Sequence, residues 1–226
     1  MSINSELLHR IKISVKKNFL SYLAKVLNSS ASASYGIEAL DKLRLQLPET
    51  GCANCGRCCN SISIYSIEYH RIIRHLMECH DPGTIRKFIF NAMRFDLRQA
   101  HVKKQSRIRC SFRDEDLKAC LIHPIRPFAC RFFGLLKENG TRDCEKVYDL
   151  KNPPVVVREK LIESLQIKIL ENSEGFEVFP EQDKVYFFPF EFWLYRNIFS
   201  VERALQIYRE ILVPMSTPLT NLLKNR

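Results

Sequence analysis

Cys52-Ala53-Asn54-Cys55-Gly56-Arg57-Cys58-Cys59 is the stretch that decides what kind of core this chain builds. Its overlapping C-x-x-C steps set thiols on a tight turn where two sulfurs can face one metal ion. Gly56 supplies a backbone that reaches φ > 0 without a Cβ clash. Soft thiolate donors at this spacing suit a tetrahedral zinc ion or an iron–sulfur cluster. The adjacent pair Cys58-Cys59 reads differently. Neighbouring side chains in extended backbone point to opposite faces. The pair therefore directs one sulfur to each of two nearby sites, or one to a metal and one elsewhere.

Working outward, Cys110, Cys120 and Cys130 form a second group, with Cys79 and Cys144 apart from both, while residues 1–51 and 145–226 contain no cysteine. A disulfide scaffold spreads its cysteines through a short exported chain. Here Lys12, Lys16 and Lys17 interrupt the apolar residues where a secretory h-region would stand, so a cytoplasmic address with free thiols is expected. A basic amphipathic start also suits a transit peptide, against which Glu6 argues. No apolar run approaches the ~20 residues of a membrane span. Metal ligation is the reading that fits both compartment and clustering.

Periodicity organises the rest. Residues 5–27 read as an amphipathic helix with Leu8, Ile11, Val15, Phe19, Leu23 and Val26 on one stripe. Residues 28–34, Asn-Ser-Ser-Ala-Ser-Ala-Ser, read as a mobile small-residue linker that makes the first helix a detachable arm. A second helix is expected over 36–47, stopping before Pro48, then an extended stretch over 61–65. A helix capped by Ser66 should reach about Cys79, and another should open at Asp81-Pro82. Residues 107–134 read mostly as loops, with a helical turn over 127–133. Pro153-Pro154 opens a helix to about Glu171, 176–188 form a β-hairpin, and a last helix over 200–212 ends at Pro214. The fold class is α+β and predominantly helical, a cysteine-rich loop core packed by flanking helices with a small C-terminal hairpin. Residues 1–35 form the arm and linker, 36–148 the cysteine domain and 149–226 a helix-hairpin-helix extension packed on the core.

The formal net charge is +10, with Arg71, Arg74, Arg86, Lys87, Arg94, Arg98, Lys103, Lys104, Arg107 and Arg109 falling in one basic region. Solvated faces of amphipathic helices explain most of it, and an RNA- or phosphate-binding face is the alternative. No G-x-G-x-x-G, P-loop, H-E-x-x-H or G-x-S-x-G motif is present, so nucleotide binding and hydrolysis by those routes gain no support.

The second group reads Cys110-Ser-Phe, then Ala-Cys120-Leu-Ile-His123-Pro-Ile-Arg126-Pro127-Phe-Ala-Cys130-Arg131-Phe132-Phe133. Together with Cys52, Cys55, Cys58 and Cys59 it resembles the CxxCxxCC cysteine-cluster family, the YkgJ-like zinc- or iron-chelating proteins. The resemblance runs from Cys52 to Phe133 and includes Arg-Pro-x-x-Cys-Arg; Glu68 also falls where the family often has an acidic residue. It implies a metal centre held by Cys52, Cys55, Cys58, Cys59, Cys110, Cys120 and Cys130, with zinc or iron, including a 4Fe-4S cluster, as the cofactor. Flagellin lysine-N-methylase carries a similar cysteine cluster, so an iron–sulfur-dependent methylase-like enzyme is the alternative function. An RNA-associated zinc protein is a third reading, and a protein partner served by a non-catalytic module fits the first.

Seven thiols divide as four plus three, a closed structural site and an open one, or a single cluster uses four of them. Arg126 and Arg131 act either as cations beside thiolates or in ion pairs with neighbouring helices. Pro127 pre-sets the turn that presents Cys130. His123 is a substitute ligand or a free loop histidine. Glu68 orients a ligand or faces its helix dipole as a first-turn acid. Cys79, near His75 and His80, reads as a simple thiol, and Cys144 as a spare cysteine or an eighth ligand. The aromatic run 187–193 reads as core at strand spacing rather than as a base-stacking surface.

Overall fold

The computed structural model describes residues 3–53, 59, 62–97, 110–114, 116–142, 144, 146–150, 155–171 and 188–216. Helix α1 (Ser5–Ser32) begins where the Asn4 side chain accepts a hydrogen bond from Leu7 N at 2.9 Å. Asn4 N also donates to Glu210 O at 3.1 Å, tying the start of the helix to the far end of the chain. Leu7, Ile11, Val15, Leu23 and Val26 are buried against α3 (Ser66–Cys79) and α4 (Pro82–Met93).

The linker expected over 28–34 is a correction, because α1 runs through residues 28–32 and α2 (Ser34–Arg44) follows after a single residue. Serine is a modest helix former, but here its small size lets the backbone approach a neighbour. Ser30 is fully buried with its hydroxyl 3.1 Å from His70 Nδ1 on α3, and Ser29 Oγ donates to Asn197 Oδ1 at 2.5 Å. Packing overrides propensity, and the helix does not stand off as an arm.

Other boundaries follow local chemistry. Asp81 caps α4 by accepting from Gly83 N at 2.8 Å and Thr84 N at 3.0 Å, with Pro82 at the first position as the sequence predicts. The residue at the cap of α3 is Tyr65, not Ser66. Among the described residues the strands are two or three residues long. Antiparallel pairs join β1 (Thr50–Cys52) to β6 (Val147–Asp149), β2 (Ser63–Ile64) to β8 (Phe188–Pro189), and β3 (Arg113–Asp114) to β4 (Ala119–Cys120); β5 (Leu136–Lys137) runs parallel to β7 (Val156–Val157). At β1 the Tyr148 ring lies over Gly51, where a Cβ would come within 2.1 Å of it.

The C-terminal third departs most from expectation. The hairpin expected over 176–188 lies, apart from Phe188, outside the described residues. The helix expected from Pro153-Pro154 begins later, as α6 (Glu159–Glu171), after β7; residues 151–154 lie outside the described residues. The aromatic run becomes α7 (Phe190–Arg196), in which Phe190, Glu191, Phe192, Trp193, Leu194 and Tyr195 are all buried. A helix apolar on nearly every side, with Glu191 the exception among its buried residues, is stable only when surrounded. Trp193 Nε1 donates to Ile64 O at 2.9 Å and the Tyr195 hydroxyl donates to Met93 O, so α7 is held from two directions. Helix α8 (Val201–Ile207) passes through a π-helical turn at Tyr208–Leu212 into α9 (Val213–Ser216), which contains Pro214. The widened turn shifts the hydrogen-bond ladder that a proline would break, and so the chain stays helical past Pro214.

Two apolar clusters result. The larger gathers α1, α3, α4, α7 and α8. The smaller joins Ile37, Leu40 and Leu43 of α2 to Leu165 and Ile169 of α6, with Ile67 and Phe128 between them. Among the described residues, no helix is long and apolar enough to cross a membrane. The α+β, predominantly helical class is as the sequence predicts.

Because Ile11 is 3 % exposed within the larger cluster, Ile11→Ala should cost about 2–4 kcal/mol of stability. Urea unfolding followed by circular dichroism measures this, and a loss under about 0.5 kcal/mol would mean that α1 is not part of the core.

Candidate metal centre

The second cysteine group is built on a short hairpin where the sequence predicts mostly loop. Asp114 Oδ1 accepts from Asp116 N at 2.9 Å and Leu117 N at 2.8 Å, an Asx turn, and Lys118 takes φ 51° to close it. Arg113 then pairs with Cys120, and Leu121 N donates to Phe112 O at 2.9 Å. Cys110 and Cys120 thus flank one short ladder. Cys110 N donates to Cys59 O at 2.9 Å, which draws the end of the first cysteine run alongside the second group. The amides of Phe112 and Ile122, each two residues beyond a cysteine, act to lower the pKa of Cys110 and Cys120. Amide donors of this kind stabilise a thiolate.

The electrostatics link the same residues. Burial pushes the Cys110 thiol up to about 12, and the charges of Cys120, Cys59 and Glu191 add to the shift against the Phe112 amide. Burial also raises Cys120, with Cys59 and Cys52 adding to it and the Ile122 amide and Arg126 opposing. Cys130 is raised well above the ordinary thiol range by burial, then by Cys110, Cys120 and Glu68, with Arg126 opposing. Cys52, Cys59, Cys110, Cys120 and Cys130 therefore lie in connected fields that a cation among them would relieve.

That convergence is looser than coordination. Among the described residues, no three His, Cys, Asp or Glu side chains are arranged to hold one metal ion. Zinc–sulfur bonds are about 2.3 Å, far shorter than the reach of these fields. Cys55 and Cys58 lie outside the described residues. Cys79, Cys110, Cys120, Cys130 and Cys144 are free thiols.

A buried carboxylate fixes the third segment. Glu68, 3 % exposed in the first turn of α3, accepts from Tyr65 N through Oε2 at 3.0 Å and from Phe128 N through Oε1 at 2.7 Å. It caps its own helix and also reaches the first residue of α5 (Phe128–Phe132), the short helix that carries Cys130. Burial raises its pKa, opposed by both amides and by Arg44. Pro127 precedes α5 at φ −52°, the pre-set turn that the sequence predicts.

Two residues of this region had no sequence signal. Arg44, 7 % exposed at the end of α2, donates to Arg126 O at 2.9 Å and Pro124 O at 2.7 Å, bracing the Arg-Pro segment from below. Burial lowers its pKa to about 10, Arg131 adding to the shift and Asp41 and Glu68 opposing it. Glu191 of α7, 1 % exposed, accepts from Ser111 Oγ at 2.7 Å beside Cys110. Their partners are some 80 residues away in the chain, a separation that no local spacing reveals.

The two arginines separate. Arg126 lowers the pKa of both Cys120 and Cys130 and donates through Nη2 to Thr50 O at 3.3 Å. Arg131 instead reaches the carbonyls of Leu47 at 3.4 Å and Pro48 at 3.5 Å. His123 opens a 3-10 turn, and burial, then Arg126, lower its pKa. Cys79 is exposed at the far end of α3 from Glu68, its sulfur 3.4 Å from His75 Nδ1. Cys144 is buried, its N–H donating to Phe133 O at 3.0 Å. Of the basic region, Arg71 pairs with Asp41 at 3.0 Å and Glu78 at 3.4 Å, and Arg94 with Asp96 at 3.3 Å. Arg98, Lys103, Lys104, Arg107 and Arg109 lie outside the described residues.

Glu68→Gln keeps the side chain's size but replaces one acceptor oxygen by an NH2 donor that faces a backbone N–H donor. A stability loss of about 2–3 kcal/mol is expected in chemical denaturation; a variant as stable as the parent would show that the clamp between α3 and α5 is not needed.

No curated protein and no solved structure matches the chain. A family model does, over residues 51–160, which take in every cysteine of the sequence; its description is CxxCxxCC, "Putative zinc- or iron-chelating domain". The span begins beside Cys52 on β1, includes the 113–120 hairpin and the Glu68 clamp, and ends in α6. Over residues 51–160, just under half of the chain, the sequence is similar to the CxxCxxCC family, and that similarity supports zinc or iron binding by this segment.

Proposed function

We propose that Cys52, Cys55, Cys58 and Cys59 on one side and Cys110, Cys120 and Cys130 on the other supply the thiolates of a bipartite zinc or iron–sulfur centre. The observation that carries this reading is the meeting of the two groups: the Cys110-to-Cys59 backbone bond of 2.9 Å, together with the shared field of the buried thiols around it. All-sulfur donors favour zinc and iron over hard cations. In the reducing setting of the cytoplasm the thiols stay available. Four thiolates close a structural site, and the remaining three form a site with one open position for an outside ligand. A bound metal would supply soft-acid binding at sulfur; this chain supplies the cysteine thiols and the Arg126 charge beside Cys120 and Cys130.

Anaerobic purification of the full chain with elemental analysis tests the reading. Brown protein with absorbance near ~400 nm and bound iron identifies an iron–sulfur centre, and colourless protein with stoichiometric zinc identifies a zinc site. Cys120→Ser should lose the metal, whereas Cys79→Ser, altering an exposed thiol at the end of α3, should retain it. Full retention in both Cys55→Ser and Cys120→Ser variants, or a parent protein free of either metal, rejects the proposal.

A further inference from the structure

Beside the cysteine segment, between the end of α2, β1 and the turn at His123, lies a cleft of about 280 Å³. Arg44, Arg126, Arg131 and His123 line it, and Glu49 is the one carboxylate among its described lining residues. The guanidiniums lie in one another's fields: Arg131 lowers the pKa of Arg44, and Arg126 lowers those of Arg131 and His123. Like charges gathered at one concavity cost stability unless something of opposite charge joins them.

The hydrogen bonding is incomplete in the same place. Arg44 is fully engaged, held by the Pro124 and Arg126 carbonyls with Asp41 at 3.9 Å, so that it serves as a fixed charge at the back of the cleft. Arg126 Nε is buried with no hydrogen-bond partner among the described residues. The bonds that Arg126 and Arg131 do make, at 3.3, 3.4 and 3.5 Å to backbone carbonyls, are long; charged donors usually sit about 2.7–2.9 Å from their acceptors. Among the described residues no carboxylate forms an ion pair with either side chain. A buried charged donor without an acceptor is costly and points to a group that would satisfy it.

We propose that this cleft binds the oxyanion of a small ligand, a phosphate or a carboxylate, with Arg126 and Arg131 as its donors and Arg44 as the charge behind them. The guanidinium fork matches both oxyanions in geometry, and the cleft's volume suits a small molecule rather than a nucleic-acid strand. Arg126 also acts on Cys120 and Cys130, so the bound anion lies one side chain away from the cysteine cluster. The proposal holds whichever metal that cluster carries.

Isothermal titration of the full chain, as purified, with inorganic phosphate and separately with succinate at constant ionic strength tests it. Saturable binding of either supports the site, and the anion that binds names the ligand's class. Arg126→Gln should weaken binding about tenfold or more. Glu49→Gln, altering an exposed residue, should strengthen it about two- to threefold by removing the opposing charge. Metal content and circular dichroism of each variant are recorded alongside, so that lost folding is not read as lost binding, and Glu49→Gln decides should Arg126→Gln not fold. Absence of saturable binding of both anions, or Glu49→Gln and a folded Arg126→Gln both binding like the parent, overturns the proposal.

Discussion

The Glu68 carboxylate is the constraint on which the cysteine region depends. One oxygen holds the start of α3 and the other the start of α5, so the Cys130 thiol on that short helix inherits its position from a helix packed in the larger core. A buried carboxylate is unfavourable in isolation. Here two amides and the field of Arg44 compensate it, and removing any one of them would strand a charge. The same carboxylate disfavours a thiolate at Cys130, while Arg126 favours one. The positions of these two side chains therefore set both the shape of the cysteine segment and the readiness of its sulfurs to bind a cation.

Loops rich in cysteine bury little apolar surface by themselves, which explains why the helices are arranged as they are. Cys110 and Cys120 are packed at the margin of the larger cluster, whereas Phe128 and Leu135 belong to the smaller one. The cysteine segment thus lies where two apolar clusters meet, with α3 contributing Ile67 to one and Ile72 and Ile73 to the other. Each cluster fixes one end of the segment. The thiols are left half-buried between them, close enough to share a field and open enough to accept a ligand.

What could be read in the sequence was whatever rests on short-range chemistry. The Asp81-Pro82 cap, the helix reaching Cys79, the α+β class and the turn set by Pro127 all follow from residues within a few positions of one another. Ser29 and Ser30 misled because their composition is that of a linker, and only the approach of His70 and Asn197 makes them helix-packing residues. The aromatic run is core, as its composition suggests, but its element misled: with apolar residues at nearly every position there is no period, so strand and surrounded helix are indistinguishable until a neighbour is known. Arg44 and Glu191 left no signal at all, since a lone buried charge is defined by partners far away in the chain.

Charge balance ties these elements together. In the proposed centre, four thiolates around a dication would leave about two excess negative charges, which a poorly hydrated site would have to offset nearby. Carboxylate-paired arginines would be poor at this, because their charge is already neutralised. Arg126 and Arg131 are instead oriented by the backbone carbonyls of residues 47, 48 and 50, dipoles that hold a guanidinium in place without cancelling it, and Arg44 is held by the carbonyls of residues 124 and 126 with Asp41 at the longer distance of 3.9 Å. Their charge stays available in two directions, toward the sulfurs of Cys120 and Cys130 through Arg126 and toward the cleft beside Glu49. Part of the chain's basic excess is therefore fixed within the fold, next to the chemistry that its cysteines carry.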